Sequence, residues 1–153
     1  MIALTAILTP EVTGDAAGLA PASEAGALAV HVAFQLADCA SALAFLDILD
    51  HPTVAGSMSV ASLVFIGEAA DTAAAARALG GKFSPLTLAS ARTLREFRDL
   101  GFGRTPFLVV KDAGGATRFA APVPRDPLEL RSLHWALVGL ADLHARRTAS
   151  GRR

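Results

Sequence analysis

Residues 27–42, with the sequence ALAVHVAFQLADCASA, contain the pattern that decides the fold. Ala27–Phe34 is an almost continuous apolar run, which predicts a buried β-strand. Asp38 is a favourable N-cap residue, and leucines recur on one side of Cys39–Asp50, so a helix is predicted there. The segment therefore predicts a buried strand that leads, after a few residues, into a helix beginning at Cys39.

A second segment, Arg104-Thr105-Pro106-Phe107, opens a predicted strand over Phe107–Lys111. The turn sequence Asp112-Ala113-Gly114-Gly115 follows, and Thr117–Ala121 is predicted to return as the antiparallel partner. Asp126-Pro127-Leu128-Glu129 then combines an acidic N-cap, a proline at the first helical position and an early Glu. These features predict a C-terminal β-hairpin followed by a helix.

The middle of the chain adds further alternating elements. The predictions are a strand over Val60–Ile66, a helix over 72–79 capped by Asp71 and ended by Gly80-Gly81, a strand over Leu86–Leu88, and a helix capped by Ser90. The resulting order is β, α, β, α, a short β, α, β, β, α. This order predicts an α/β fold, with a central mixed sheet and helices on both faces.

Three segments are expected along the chain. Residues 1–26 are predicted to form an N-terminal strand (Ile2–Leu8) and a loop or arm, rich in Pro, Gly, Ala and acids. Residues 27–145 are expected to form one domain, since 153 residues are the size of a single ordinary domain. Residues 146–153 are predicted to be a basic, flexible tail.

With these elements, the sequence resembles the thioredoxin-like superfamily, especially its redoxin and disulfide-reductase branches. The resemblance covers residues 27–145 and rests on the cysteine that begins a helix, the Thr-Pro pair, the hairpin and the terminal helix. It implies that Cys39 is the nucleophilic cysteine and Pro106 the cis-proline. It also implies that the backbone of Thr105 receives an extended substrate.

The sequence departs from the family pattern at two positions. Ala42 stands where the resemblance implies a second, resolving cysteine, and Asp38 replaces the aromatic residue that often precedes the motif. A dithiol reductase uses the second thiol to release the mixed disulfide. The site is therefore predicted to be degenerate, and Cys39 would need an external thiol to complete a cycle.

The chemistry expected of Cys39 has two alternatives. A helix N-terminus favours the thiolate, whereas an ionised Asp38 beside it disfavours the thiolate. Cys39 is thus either a reactive nucleophile or a small apolar residue of the core, as free cysteines often are. Because it is the single cysteine, no intrachain disulfide is possible.

Composition and charge suggest a covered surface. Hydrophobic residues make up 52% of the chain, and the mean hydropathy is +0.44. Residues 1–76 contain eight acids and no Lys or Arg, while residues 77–153 contain all 14 basic residues. Arg92, Arg95 and Arg98 recur along one helix with Arg104 nearby, and they are either a solvated face or a docking surface for an acidic protein. A protein partner or a homo-oligomer is expected.

Several other classes are disfavoured. Zero net charge and few aromatic residues argue against nucleic-acid binding. None of the four histidines has metal-ligand spacing, and no cofactor is expected. The most apolar window, Ala25–Leu46, contains Asp38, which argues against a membrane span. No secretory signal is visible, so a cytoplasmic location is expected.

These observations predict a thioredoxin-like protein with a degenerate site that binds a protein partner or belongs to a larger assembly. The alternative is a monothiol thiol–disulfide oxidoreductase with Cys39 as nucleophile and Thr105-Pro106 positioning the substrate. A third possibility is a scaffold that uses the arginine face.

Overall fold

The computed structural model describes residues 18–19, 27–80 and 86–151. Five strands form one sheet in the order β3-β2-β1-β4-β5. The strands are β1 (Leu28–Phe34), β2 (Met58–Phe65), β3 (Leu86–Leu88), β4 (Phe107–Lys111) and β5 (Thr117–Pro122). β1 pairs parallel with β2 and antiparallel with β4, so the sheet is mixed, as the sequence predicts.

The helices are α1 (Cys39–Leu49), α2 (Pro52–Ala55), α3 (Thr72–Ala78), α4 (Ala91–Asp99) and α5 (Pro127–Ser150). Short 3₁₀ turns, Leu36–Asp38 and Ala69–Asp71, precede α1 and α3. The short helix α2 was not expected, although Pro52 is well suited to a first helical position. The predicted strand Ile2–Leu8 lies outside the described residues.

The core lies on both faces of the sheet. Because side chains alternate along a strand, Val32 and Phe34 point to one face and Ala33 points to the other. The first face packs against α1, α3 and α5, through residues such as Phe45, Ala75 and Leu137. The second face packs against α4 and the segment 18–19, through Phe97 and Leu19. The predicted α/β architecture with helices on both faces is confirmed.

β1 is the central strand, and every one of its residues is buried. The polar residue within it, His31, is 1% exposed, and its Nδ1 lies 2.7 Å from the hydroxyl oxygen of Ser62 on β2. A hydrogen bond of this kind allows a polar group to remain in the core. β1 therefore fixes the position of the residues that follow it, up to Cys39.

The final helix differs from its predicted extent. Asp126 caps α5, since its carboxylate accepts hydrogen bonds from the amides of Leu128 and Glu129 at 2.8 and 3.2 Å. The helix continues to Ser150, five residues beyond the predicted end of the domain at 145. Residues 146–150 are helical where the sequence predicts a frayed tail, because they extend a helix that is already well nucleated.

Candidate functional site

Cys39 is the first residue of α1, directly after the 3₁₀ turn that follows β1. Its side chain is buried, with 8% exposure, and belongs to the same core cluster as Ala42 and Phe45. Ala42 lies one turn further along α1 and is completely buried. The residue that stands in place of a second thiol is therefore adjacent to Cys39 on the inner side of the helix.

Asp38 is buried beside Cys39, with 2% exposure. Its Oδ2 accepts a hydrogen bond from the Gln35 amide at 3.1 Å, and its Oδ1 accepts one from Nη2 of Arg125 at 2.7 Å. Asp38 occupies the predicted N-cap position of α1 but makes no side-chain hydrogen bond to the helix. The predicted capping interaction is thus corrected, and the carboxylate instead joins the start of α1 to the segment before α5.

These surroundings raise the pKa of the Cys39 thiol. Burial is the largest cause, and the nearby charge of Asp38 adds to it, while the backbone amide of Cys39 acts in the opposite direction. Both leading causes disfavour the thiolate. At the helix N-terminus, burial and a like charge therefore outweigh the stabilisation that the amides offer to an anion.

Thr105 and Pro106 lie at the same edge of the sheet as the start of α1. β4 runs antiparallel to β1, and Phe107 at the beginning of β4 pairs with Ala33 near the end of β1. The Thr105–Pro106 peptide bond is cis, and the carbonyl of Pro106 accepts a hydrogen bond from the Val123 amide at 2.7 Å. Pro106 is buried and Thr105 is half-buried.

The four predicted arginines are divided between two places. Arg104 is exposed and directly precedes Thr105. It therefore lies at the sheet edge where α1 begins with Cys39 and β4 begins with Phe107, called the Cys39 edge below. Arg92, Arg95 and Arg98 are exposed on α4, which packs on the opposite face of the sheet from α1. The structure therefore does not bring the α4 arginines together with Cys39.

Sequence reasoning missed three residues at this edge. Arg125 pairs with Asp38 across 87 residues of sequence. Leu36 and Leu128, 44% and 72% exposed, lie in the 3₁₀ turn before Cys39 and in the first turn of α5. The predicted hairpin was a usable signal, because β5 must return the chain to the edge where β4 begins, and Arg125 follows within three residues.

Neither a metal centre nor a membrane span is found in the part of the chain that the structure describes. Within it, no three His, Cys, Asp or Glu side chains are grouped so that they could ligate a metal ion. No helix among residues 27–80 and 86–151 combines the length and hydropathy needed to cross a bilayer.

Comparison with solved structures identifies the architecture. A thiol:disulfide interchange protein DsbE from Chlorobium tepidum superimposes with a TM-score of 0.55 at 16% identity, over 76% of this chain and 81% of that chain. A thiol-disulfide isomerase from Corynebacterium glutamicum gives a TM-score of 0.52 at 17% identity, over 83% and 89%. This chain has the thioredoxin fold.

A secreted Mycobacterium tuberculosis disulfide oxidoreductase, homologous to E. coli DsbE, has the same thioredoxin fold, with a TM-score of 0.52 at 10% identity over 75% of this chain and 83% of that chain. At such identities the likeness establishes the fold and leaves the activity open. No protein-family model matches the sequence, and no curated protein matches it. The thioredoxin fold nevertheless places the first residue of α1 and the residues before β4 at one edge, where Cys39 and Thr105-Pro106 are found.

Proposed function

We propose that this protein is a monothiol thiol–disulfide oxidoreductase with Cys39 as its nucleophile. The observation that carries the proposal is the convergence of Cys39, at the start of α1, with Thr105-Pro106 at one edge of a thioredoxin fold. The structural neighbours described above are thiol–disulfide enzymes, which supports this activity over a purely structural role.

The proposed reaction has two exchanges. The Cys39 thiolate attacks one sulfur of a substrate disulfide, so that a mixed disulfide forms on Cys39 and the other sulfur leaves as a thiolate. Because Ala42 offers no second thiol, a low-molecular-weight thiol then attacks the substrate sulfur of this adduct. The second exchange regenerates the Cys39 thiolate and releases the substrate as a mixed disulfide with the small thiol.

The surroundings of Cys39 suit a substrate with apolar groups. Leu36 and Leu128 expose large apolar side chains at the same edge, and the half-buried Thr105 stands next to the buried Pro106. Exposed apolar groups beside a reactive group provide contact area for a partner. In this proposal these residues hold the substrate while Cys39 reacts.

The test uses the full chain with oxidised glutathione as substrate and with reduced glutathione as the resolving thiol. Mass spectrometry should detect one glutathionyl group on the wild-type chain and none on Cys39→Ser. Since burial and Asp38 raise the pKa of Cys39, the rate of adduct formation should increase about tenfold per pH unit until the pH approaches that pKa.

Reduction of a small disulfide by glutathione should then proceed faster with the wild-type chain than with Cys39→Ser. Equal rates for the two, or no adduct at any pH at which the protein stays folded, would reject the oxidoreductase. A folded Cys39→Ser variant, checked by circular dichroism, makes the comparison valid.

A second candidate, the partner-binding module, has its own observation. Leu128, Trp135 and Leu143 are 72%, 65% and 47% exposed, and their spacing of seven and eight residues puts them along one side of α5. Such a stripe is suited to a protein partner or a second copy of the chain. An inert Cys39 together with oligomers that Trp135→Ala dissociates would favour this candidate.

A further inference from the structure

A cavity of about 220 Å³ lies between α5 and β5, away from the Cys39 edge. Its lining consists of one residue of β5 and five residues from the second half of α5: Arg118, Leu140, Leu143, His144, Arg147 and Thr148. Arg118 follows Thr117, which pairs with Lys111 at the hairpin end of β5, whereas Pro122 at the other end pairs with Phe107. The cavity is thus separated from Cys39 by the length of β5.

Arg118 is held in a fixed orientation at the rim of this cavity. Its Nε and Nη2 donate to Oδ2 of Asp112 at 2.6 and 2.5 Å, and Oδ1 of Asp112 accepts from the Ala116 amide at 2.9 Å. Burial alone would raise the pKa of Asp112, but the Ala116 amide and Arg118 outweigh it and lower that pKa. Both contacts use one edge of the guanidinium, whose five N–H groups include further donors on Nη1.

α5 contributes a second cation and an imidazole. Arg147 is exposed, and it follows His144 by three residues on the same side of the helix. Nε2 of His144 is shielded from solvent and has no hydrogen-bond partner among the described residues. Because an unpaired buried polar atom is unfavourable, a ligand that forms a hydrogen bond with it would be stabilised in the cavity.

The rest of the lining is apolar. Leu140 and Leu143 supply hydrocarbon surface between the two arginines. An inorganic anion would pair with the cations but would leave these leucines uncovered. A neutral hydrocarbon would leave Arg147, and the Arg118 donors that do not contact Asp112, without an anionic acceptor. The combination suits a ligand with one anionic end and one apolar end.

We propose that this cavity binds a small organic carboxylate with an apolar body, of about the size of benzoate. An apolar cavity of about 150 Å³ accommodates benzene, so a cavity of this volume has room for an aromatic ring and a carboxylate. The carboxylate lies between Arg118 and Arg147, and the ring lies against Leu140 and Leu143. The site is independent of the thiol chemistry proposed for Cys39.

The test is a titration of the full chain with benzoate, followed by NMR signals of the His144 ring. We expect a saturable shift with a Kd on the order of 1 mM, which is reasonable for a ligand of this size. Arg147→Gln should weaken binding at least about fivefold, since one charge-assisted pair is lost. The control Arg146→Gln should bind as the wild type does, because Arg146 is exposed, pairs with Asp142 and does not line the cavity.

Two further ligands and one further variant test the assignment. Benzyl alcohol and inorganic phosphate should each bind more weakly than benzoate, since each lacks one half of the proposed match. Leu143→Ala should weaken benzoate binding. An unsaturable shift, equal losses for Arg146→Gln and Arg147→Gln, or equal binding of phosphate and benzoate would overturn the proposal.

Discussion

Cys39 lies between one influence that stabilises a thiolate and two that oppose it. The amides at the start of α1 favour the anion, but burial and the Asp38 carboxylate raise the pKa of the thiol. Arg125 donates to the same carboxylate and offsets part of its negative charge. The reactivity of Cys39 therefore depends on burial and on the charge of Asp38, which Arg125 contacts, as well as on the helix that Cys39 begins.

Asp38→Asn tests this balance at the level of one side chain. Removing the carboxylate charge should lower the pKa of Cys39 and speed its alkylation by iodoacetamide about threefold at pH near 8. The pKa should stay above the ordinary thiol value, because burial remains. Arg125→Gln should have the opposite effect, since it leaves the Asp38 charge without its cation.

Asp47→Asn is the matched control, because Asp47 is an exposed acid on the same helix. It should alkylate at the wild-type rate. If Asp38→Asn alkylates no faster than Asp47→Asn while retaining its melting temperature, the assigned role of the Asp38 charge is wrong.

Helix starts show what could be predicted from sequence and what could not. Ser90 and Asp126 have extended backbone conformations, with ψ of 162° and 131°, and their side chains accept amide hydrogen bonds as predicted. Asp38 and Asp71 also occupy N-cap positions, but their ψ values are −1° and −8° and neither side chain caps its helix. Each of them is the last residue of a 3₁₀ turn, which keeps the backbone helical, and the residue type alone does not reveal that turn.

The strands were more predictable than the site. Leu86–Leu88 and Phe107–Lys111 have the bounds that the sequence predicts, because short, largely apolar runs between turn residues define strands well. Cys39 and Thr105-Pro106 could be singled out as candidates because their motifs are local. The predicted hairpin indicates that the residues after β5 return to this edge, but the contact between Asp38 and Arg125 also depends on the path of the loop before α5, which no local pattern encodes.

The N-cap positions of α3 and α5 allow a matched test of how much a capping hydrogen bond stabilises its helix. Asp126→Ala should lower the free energy of unfolding by about 1 kcal/mol, since two amides of α5 lose their acceptor. Asp71→Ala should have a much smaller effect, because that side chain makes no capping bond. Urea unfolding measures both variants.

Asp126→Asn should retain most of the stability, because asparagine is an equally good cap. Equal losses for Asp126→Ala and Asp71→Ala would contradict this account of the two helices.

On the scale of the whole molecule, a buried polar network lies beneath α4. Lys111 is 7% exposed and pairs with Glu96, and it also donates to the carbonyl of Leu19 at 3.3 Å. The Leu19 amide in turn donates to Glu96 at 3.0 Å. The network links the N-terminal segment, α4 and β4, which are distant in sequence.

This network makes the stability of the folded protein depend on pH. Burial alone would raise the pKa of Glu96, but the hydrogen bonds from Lys111 and the Leu19 amide outweigh it and lower that pKa. The folded state then binds fewer protons than the unfolded state. The stability that ionised Glu96 contributes is complete above the pKa of a glutamate in the unfolded chain, about 4.3. This contribution is lost as the pH falls through the lower pKa of Glu96 in the folded state.

Glu96→Gln should accordingly cost about 2 kcal/mol at neutral pH, because a buried ammonium loses its carboxylate. The difference from the wild type should shrink as the pH falls below the ordinary glutamate value of about 4.3 and through the lowered pKa of Glu96. Urea unfolding across this pH range measures the difference. Asp99→Asn, at an exposed acid of the same helix, is the control. A difference in unfolding free energy between Glu96→Gln and the wild type that stays constant with pH would contradict the prediction.

The contacts of Leu19 bear on how a shortened version of this protein should be made. A fragment cut to begin at residue 27 would contain all five described strands, yet it would uncover part of the apolar cluster that Leu19 forms with Phe97 and Val109. The cut would also remove the Leu19 carbonyl, which accepts a hydrogen bond from the buried Lys111 ammonium group. Expression fragments and fusion junctions should therefore be placed ahead of residue 18, and a domain joined at residue 27 would compete for the space that Leu19 fills.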